Sequence, residues 1–121
     1  MKTQFAILLR VTVVLTFLFG AVAQMRAEEA PKRIEITAKR FDFSPGEITL
    51  KKGVPVVLVL TSADVEHGLK FKELNVVVRA KKGQTNEVTF TPNKVGTFIG
   101  QCSVFCGSGH GAMKLTLHVT E

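Results

Sequence analysis

The sequence predicts an all-β domain, a sandwich or barrel of about eight short strands. Three observations point there. Apolar and polar residues alternate with period two from Arg33 to the C-terminus, as half-buried strands require. The alternating runs are separated by Gly, Pro, Asn and Lys-Gly punctuation, the chemistry of turns. Beyond the N-terminal leader, no stretch has the period and length of a helix.

Taken in order, Ile34, Ile36 and Ala38 alternate with Glu35 and Thr37 in the first strand, 34–38. Ser44, Pro45 and Gly46 mark a turn, after which Ile48 and Leu50 fall on one face of a strand at 47–51. Lys52 and Gly53 turn the chain into 54–61, a nearly continuous Val/Leu run that reads as a central strand buried on both faces. Shorter strands follow at 69–71, 76–79, 85–91 and 96–101. The last, 114–120, points Leu115, Leu117 and Val119 inward and leaves His118 on the outward phase, as an ordinary surface residue.

The N-terminus reads as a targeting segment. Lys2 and Arg10 precede an apolar run from Val11 to Val22, and Ala21-Val-Ala23 offers small residues where a signal peptidase cuts. The run is short against the roughly 20 residues of a membrane span. The expectation is therefore a signal peptide at 1–23, with an uncleaved anchor as the alternative, a flexible arm at 24–32 and one domain at 33–121. Export places the domain in the periplasm or another extracytoplasmic space. Lys2 and Arg10 leave with the leader and no acid does, so the formal charge of +6 falls by two. The remaining basic residues lie scattered in pairs, and the chain has no Trp or Tyr. Nucleic-acid binding wants a basic stripe with stacking aromatics, so no nucleic-acid partner is expected.

Soft-metal ligands are concentrated in one window. Both cysteines, Cys102 and Cys106, lie there with His110 and Met113, the one methionine outside the leader and its flank. Thiolate, imidazole and thioether together form the set that holds copper in electron-transfer sites. Gly107, Gly109 and Gly111 let the loop after Cys102 turn back on itself. A further ligand must come from elsewhere in the sheet, and His67 follows the long buried strand in the loop Ala63-Asp-Val-Glu-His67. Asp64 and Glu66 are most simply solvated, although either could orient the imidazole. Phe105 reads as core or as a lid over the site. Two cysteines in an exported chain also suit a disulfide, and a zinc site is conceivable, although methionine serves zinc poorly.

The window Cys102-x-x-x-Cys106-x-x-x-His110-x-x-Met113 resembles the binuclear copper (Cu-A) motif of cytochrome c oxidase subunit II and of the nitrous oxide reductase copper domain. The similarity runs over roughly residues 34–120 and includes Asp64-Val-Glu-His67, Gly53-Val-Pro-Val-Val and Gly96-Thr-Phe-Ile-Gly-Gln-Cys102. It implies a cupredoxin-like Greek-key β-sandwich. It also implies that Cys102 and Cys106 bridge two copper ions, with His67 and Met113 completing one and His110 and the backbone carbonyl of Val104 the other. Position 104, often Glu in that family, is Val here, so only the carbonyl role carries over. The aromatic residues that receive electrons in the oxidase, often Trp, are missing, and a leader stands where oxidase subunits have two membrane helices.

The expected function is a one-electron relay with unidentified redox protein partners, not an enzyme in itself. Contact with a membrane is expected only through an uncleaved anchor or a membrane complex. The alternatives are a mononuclear blue-copper carrier on His67, Cys106, His110 and Met113, with one ion and Cys102 spare; a copper-delivery or buffering protein; and an electron-entry subunit of a terminal oxidase or reductase.

Overall fold

The computed structural model describes residues 30–121. The leader reading at 1–23 and most of the arm thus lie outside the described residues. Nine strands follow in order: β1 (Lys32–Lys39), β2 (Asp42–Ser44), β3 (Glu47–Lys51), β4 (Val56–Ser62), β5 (His67–Phe71), β6 (Val76–Ala80), β7 (Thr85–Phe90), β8 (Gly96–Cys102) and β9 (Lys114–Thr120). The helical content of the described residues is two single 3-10 turns, Lys72–Leu74 and His110–Ala112. No helix among these residues is long and apolar enough to cross a membrane.

The strands form two packed sheets, one of four strands in the order β2-β1-β4-β7 and one of five in the order β3-β9-β8-β5-β6. Parallel pairings of β1 with β4 and of β3 with β9 join strands that are distant in sequence. The alternation read from the sequence becomes the burial pattern. Ile36 and Ala38 of β1, Ile48 and Leu50 of β3, and Leu115, Leu117 and Val119 of β9 all face the core. In β4, Val56, Leu58, Val59 and Leu60 are all buried, which is why that run shows no clean alternation. Each such side chain contributes about 1.5–3 kcal/mol by leaving water.

Three differences from the sequence reading are local. β2 spans three residues, too few for a period to register, and appears because Phe43 inserts into the core. β4 starts at Val56 rather than Val54, after Pro55, which has no N–H to give a ladder. β5 begins at His67 itself, so that residue is the first of a strand and lies fully buried.

Strand direction places the site. β8 runs antiparallel to both β5 and β9, with Leu69 opposite Cys102 and Gln101 opposite Lys114. The end of β8 therefore meets the starts of β5 and β9 at one end of the sandwich.

Candidate metal centre

At that end, the loop from Cys102 to Met113 is closed on itself. The Cys102 N–H donates to the Met113 carbonyl at 3.2 Å, and the Ser103 N–H donates to the Gly68 carbonyl at 3.1 Å. The first bond shuts the loop, and the second ties it to β5 beside His67. Within the loop, the His110 N–H donates to the Gly107 carbonyl, opening the short turn that carries the His110 ring. Gly68 eases the closure, since a Cβ there would press on the Ser103 hydroxyl and lie 3.3 Å from Val104 Cγ2.

The side chains then converge. His67 Nδ1 lies 3.8 Å from Cys102 Sγ, Cys102 Sγ lies 3.6 Å from Cys106 Sγ, and Cys106 Sγ lies 3.7 Å from His110 Nδ1. Met113 Sδ stands 3.9 Å from Cys106 Sγ, and the Val104 carbonyl oxygen 3.1 Å from Cys102 Sγ. All six residues singled out in the sequence thus meet in one cluster. His67 and Met113 are fully buried, both cysteines are 5% exposed, and His110 is partly exposed. The two thiols are free, not joined in a disulfide.

The donor set fits a soft metal. Metal bonds of about 2.0–2.1 Å to nitrogen and 2.3 Å to sulfur put neighbouring ligands of a tetrahedral ion roughly 3.5 Å apart. The separations of 3.6–3.9 Å among the nitrogen and sulfur atoms need little adjustment to reach that. Three sulfurs and two imidazole nitrogens favour copper over harder cations.

The surroundings prepare both imidazole and thiol. His67 Nε2 is 2.6 Å from Asp64 Oδ1, so the ring donates its proton there and turns the Nδ1 lone pair toward Cys102. Burial pushes the Asp64 carboxyl up, but hydrogen bonds from the Arg40 N–H, the His67 ring and the Val65 N–H outweigh it and hold the carboxyl at about 2. Asp64 is thus a carboxylate under all ordinary conditions. Burial, followed by the hydrogen bond and charge of Cys102, pushes the Cys106 thiol up to about 11. Without a cation to displace its proton, that thiol stays neutral and a poor nucleophile near pH 7.

Of the neighbours considered in the sequence, Asp64 contacts the imidazole directly. Phe105 is 79% exposed and so is not core; its ring lies 5.6 Å from that of His110. His118 lies on the outer face of β9, where Nδ1 and Thr97 Oγ1 share a hydrogen bond at 3.2 Å, away from the centre. Sequence reasoning passed over Arg40 and Phe41. Arg40 Nε donates to the Cys106 carbonyl at 3.0 Å, across 66 residues of chain. A shallow groove lined by Arg40, Val65, Glu66, Val104 and Phe105 lies over Cys106.

Residues 26–120 match the protein family described as cytochrome c oxidase subunit II, periplasmic domain. Among solved structures, the chain is similar to the periplasmic domain of subunit II of cytochrome oxidase (CoxB) of Bradyrhizobium japonicum. That match has 25% identity and a TM-score of 0.69, over 77% of this chain and 86% of that one. It is also similar to a chain of a heme-copper terminal oxidase dimer, at 24% identity and a TM-score of 0.67, over 98% of this chain and 97% of that one. Auracyanin A, a blue copper protein of Chloroflexus aurantiacus, matches at 21% identity and a TM-score of 0.60, over 75% of this chain and all of that one. The last two likenesses concern the fold alone, which is a cupredoxin-like Greek-key β-sandwich.

Proposed function

The chain belongs to the family of cytochrome c oxidase subunit II periplasmic domains, and from that premise we propose that it is a one-electron relay with a binuclear Cu-A-type centre, working outside the cytoplasmic membrane. The observation that carries this reading is the pair of sulfurs 3.6 Å apart with an imidazole nitrogen set against each. Cys102 and Cys106 would bridge two copper ions. His67 and Met113 would complete one, and His110 with the Val104 carbonyl the other. Copper held in this way supplies a one-electron couple shared between two metals.

The protein's part is to hold, desolvate and limit. Strand ends on a packed sheet fix the ligands, so little has to move when charge is gained or lost. Burial of His67 and Met113 excludes water from most of the centre. Each ligand position in the proposed centre is filled by protein, whereas a metal that activates substrate keeps a position open. This favours electron carriage over catalysis by the chain itself. Partly exposed His110, with Phe105 beside it, offers the short way in for electrons, and partners would be redox proteins that reach this end of the sandwich. Residues 1–23 would export the chain, and if uncleaved would anchor it.

A single blue copper on His67, Cys106, His110 and Met113 is the nearest rival. It leaves Cys102 idle, although His67 Nδ1 is seated against the sulfur of Cys102. Electron paramagnetic resonance on copper-loaded Cys102→Ser separates the two. The proposal expects the signal of an electron shared between two metals to vanish, and a spectrum identical to the parent would remove Cys102 as a bridge.

A further inference from the structure

The ligands reach the centre on two separate loops, 63–67 and 102–113, and a third segment that carries no ligand touches both. This is the turn between β1 and β2. The Arg40 backbone N–H donates to Asp64 Oδ2 at 2.8 Å, and Asp64 Oδ1 in turn accepts from His67 Nε2 at 2.6 Å. The guanidinium of the same residue donates from Nε to the Cys106 carbonyl at 3.0 Å. One residue is thereby bonded to the support of one ligand and to the backbone of another.

Its neighbour Phe41 adds a second, apolar contact. The Phe41 ring lies over the ligand loop where side chains are missing: a Cβ on Gly109 would come within 2.5 Å of the ring, and one on Gly107 within 2.9 Å. Glycine at these two positions lets an aromatic ring pack directly on backbone, between Cys106 and His110. That stretch of loop has little else to fix it. Its backbone groups bond within the loop: the His110 N–H to the Gly107 carbonyl, the Ala112 N–H to the Gly109 carbonyl and the Met113 N–H to the His110 carbonyl.

We infer that the β1–β2 turn is a clamp on the metal centre: Arg40 ties the His67 loop to the Cys106 loop, and Phe41 presses the Gly107–Gly109 backbone down, so that the ligands are held together before any metal arrives. Arg40 and Phe41 are positioning residues. They touch no donor atom, and they act through Asp64, the Cys106 carbonyl and the loop backbone. The purpose of the clamp rests on the copper reading, but its existence can be tested without copper.

The test uses metal-free, reduced protein, with alkylation of Cys106 by iodoacetamide followed peptide by peptide. A closed clamp shields the thiol. Arg40→Ala removes the guanidinium bond and keeps the backbone bond to Asp64, and Phe41→Ala removes the ring. Each is expected to speed alkylation roughly tenfold, as loss of a charge-assisted hydrogen bond or a packed ring would, once the rate is divided by the thiolate fraction measured for that variant. The division is needed because Arg40 is also a positive charge acting on the thiol. Arg40→Lys and Phe41→Leu, which keep a donor and an apolar cover, should restore part of the protection and serve where the alanine variants do not fold. Gly109→Ala, which drives a methyl group into the ring, should behave like Phe41→Ala. In copper-loaded protein the same changes should shift the metal's absorption bands, which a loss of general stability would leave in place. Alkylation at the parent rate per thiolate in folded Arg40 and Phe41 variants overturns the clamp. A parent that binds one copper, or none, defeats the binuclear reading and leaves the alkylation result standing.

Discussion

The five-stranded sheet carries His67 at the start of β5, Cys102 at the end of β8 and Met113 just before β9, whereas the four-stranded sheet holds no candidate ligand and meets the centre through its connections, Arg40 and Phe41 after β1 and Asp64 after β4. Both sheets bury comparable apolar faces, with Leu58 and Leu60 on one side of the core and Leu115 and Leu117 on the other. The difference lies at the strand ends. In the five-stranded sheet, three adjacent strands bring their ends together at one edge, where an antiparallel neighbourhood of β5, β8 and β9 leaves a short loop to close over the sulfurs. One sheet is therefore a platform for chemistry, and the other supplies stability and support from outside.

The widest separation between the two should appear when each loses its central side chain. Cys106→Ser removes the sulfur that contacts Cys102, His110 and Met113; copper binding, read by metal analysis after desalting, should be lost while the fold survives. Leu60→Ala in β4 should do the reverse. It opens a cavity in the core and should cost about 2–5 kcal/mol in chemical denaturation, with the spectrum of bound copper unchanged. A spectrum altered by Leu60→Ala would break the division between the sheets.

A pair of glycines sharpens the comparison on a smaller scale. Gly68→Ala places a methyl group against the Ser103 hydroxyl and 3.3 Å from Val104 Cγ2, so the hydroxyl must turn aside or the loop next to Cys102 must shift. A cost of about 1–3 kcal/mol should come with a changed copper spectrum. Gly53→Ala, in the turn before β4, meets nothing within 4 Å but sits at φ +80. Its cost of about 1 kcal/mol comes from the backbone alone, and the metal should not notice.

The fold was largely legible because its strands are amphipathic and punctuated: Leu115, Leu117 and Val119 declare their face without help from the rest of the chain. β2 was not legible, since one buried residue, Phe43, makes no period. The ligand window was legible because its soft donors stand close together in sequence, and because the motif resembles a known centre. The clamp was not. Arg40 is 66 residues from the carbonyl it holds and 24 from the carboxylate, and no local spacing signals partners that only sheet topology brings together. Of the two readings of Phe105, its exposure removes the core, because the turn after Cys102 faces outward at the end of the sheet, and leaves its ring beside that of His110.

A smaller effect follows from protons. Copper replaces thiol hydrogens, and the Cys106 thiol is held up at about 11 by burial and by Cys102. At pH 7 the metal must therefore displace that proton. Affinity should rise as pH rises toward 11, by about tenfold per unit for each proton displaced, and loading in weak buffer should acidify the solution. Proton release measured with an indicator dye checks this. Copper uptake without acid release would mean that the thiols do not ligate. No such dependence is expected from the four-stranded sheet, which brings no cysteine to the centre.

The most direct test of the central claim is the copper-to-protein ratio of the loaded chain, taken together with its electron paramagnetic resonance spectrum. Two coppers per chain, with one unpaired electron split by both nuclei, is the result that a pair of sulfurs 3.6 Å apart between two imidazoles leads us to expect. One copper per chain, with the hyperfine pattern of a single nucleus, would contradict it.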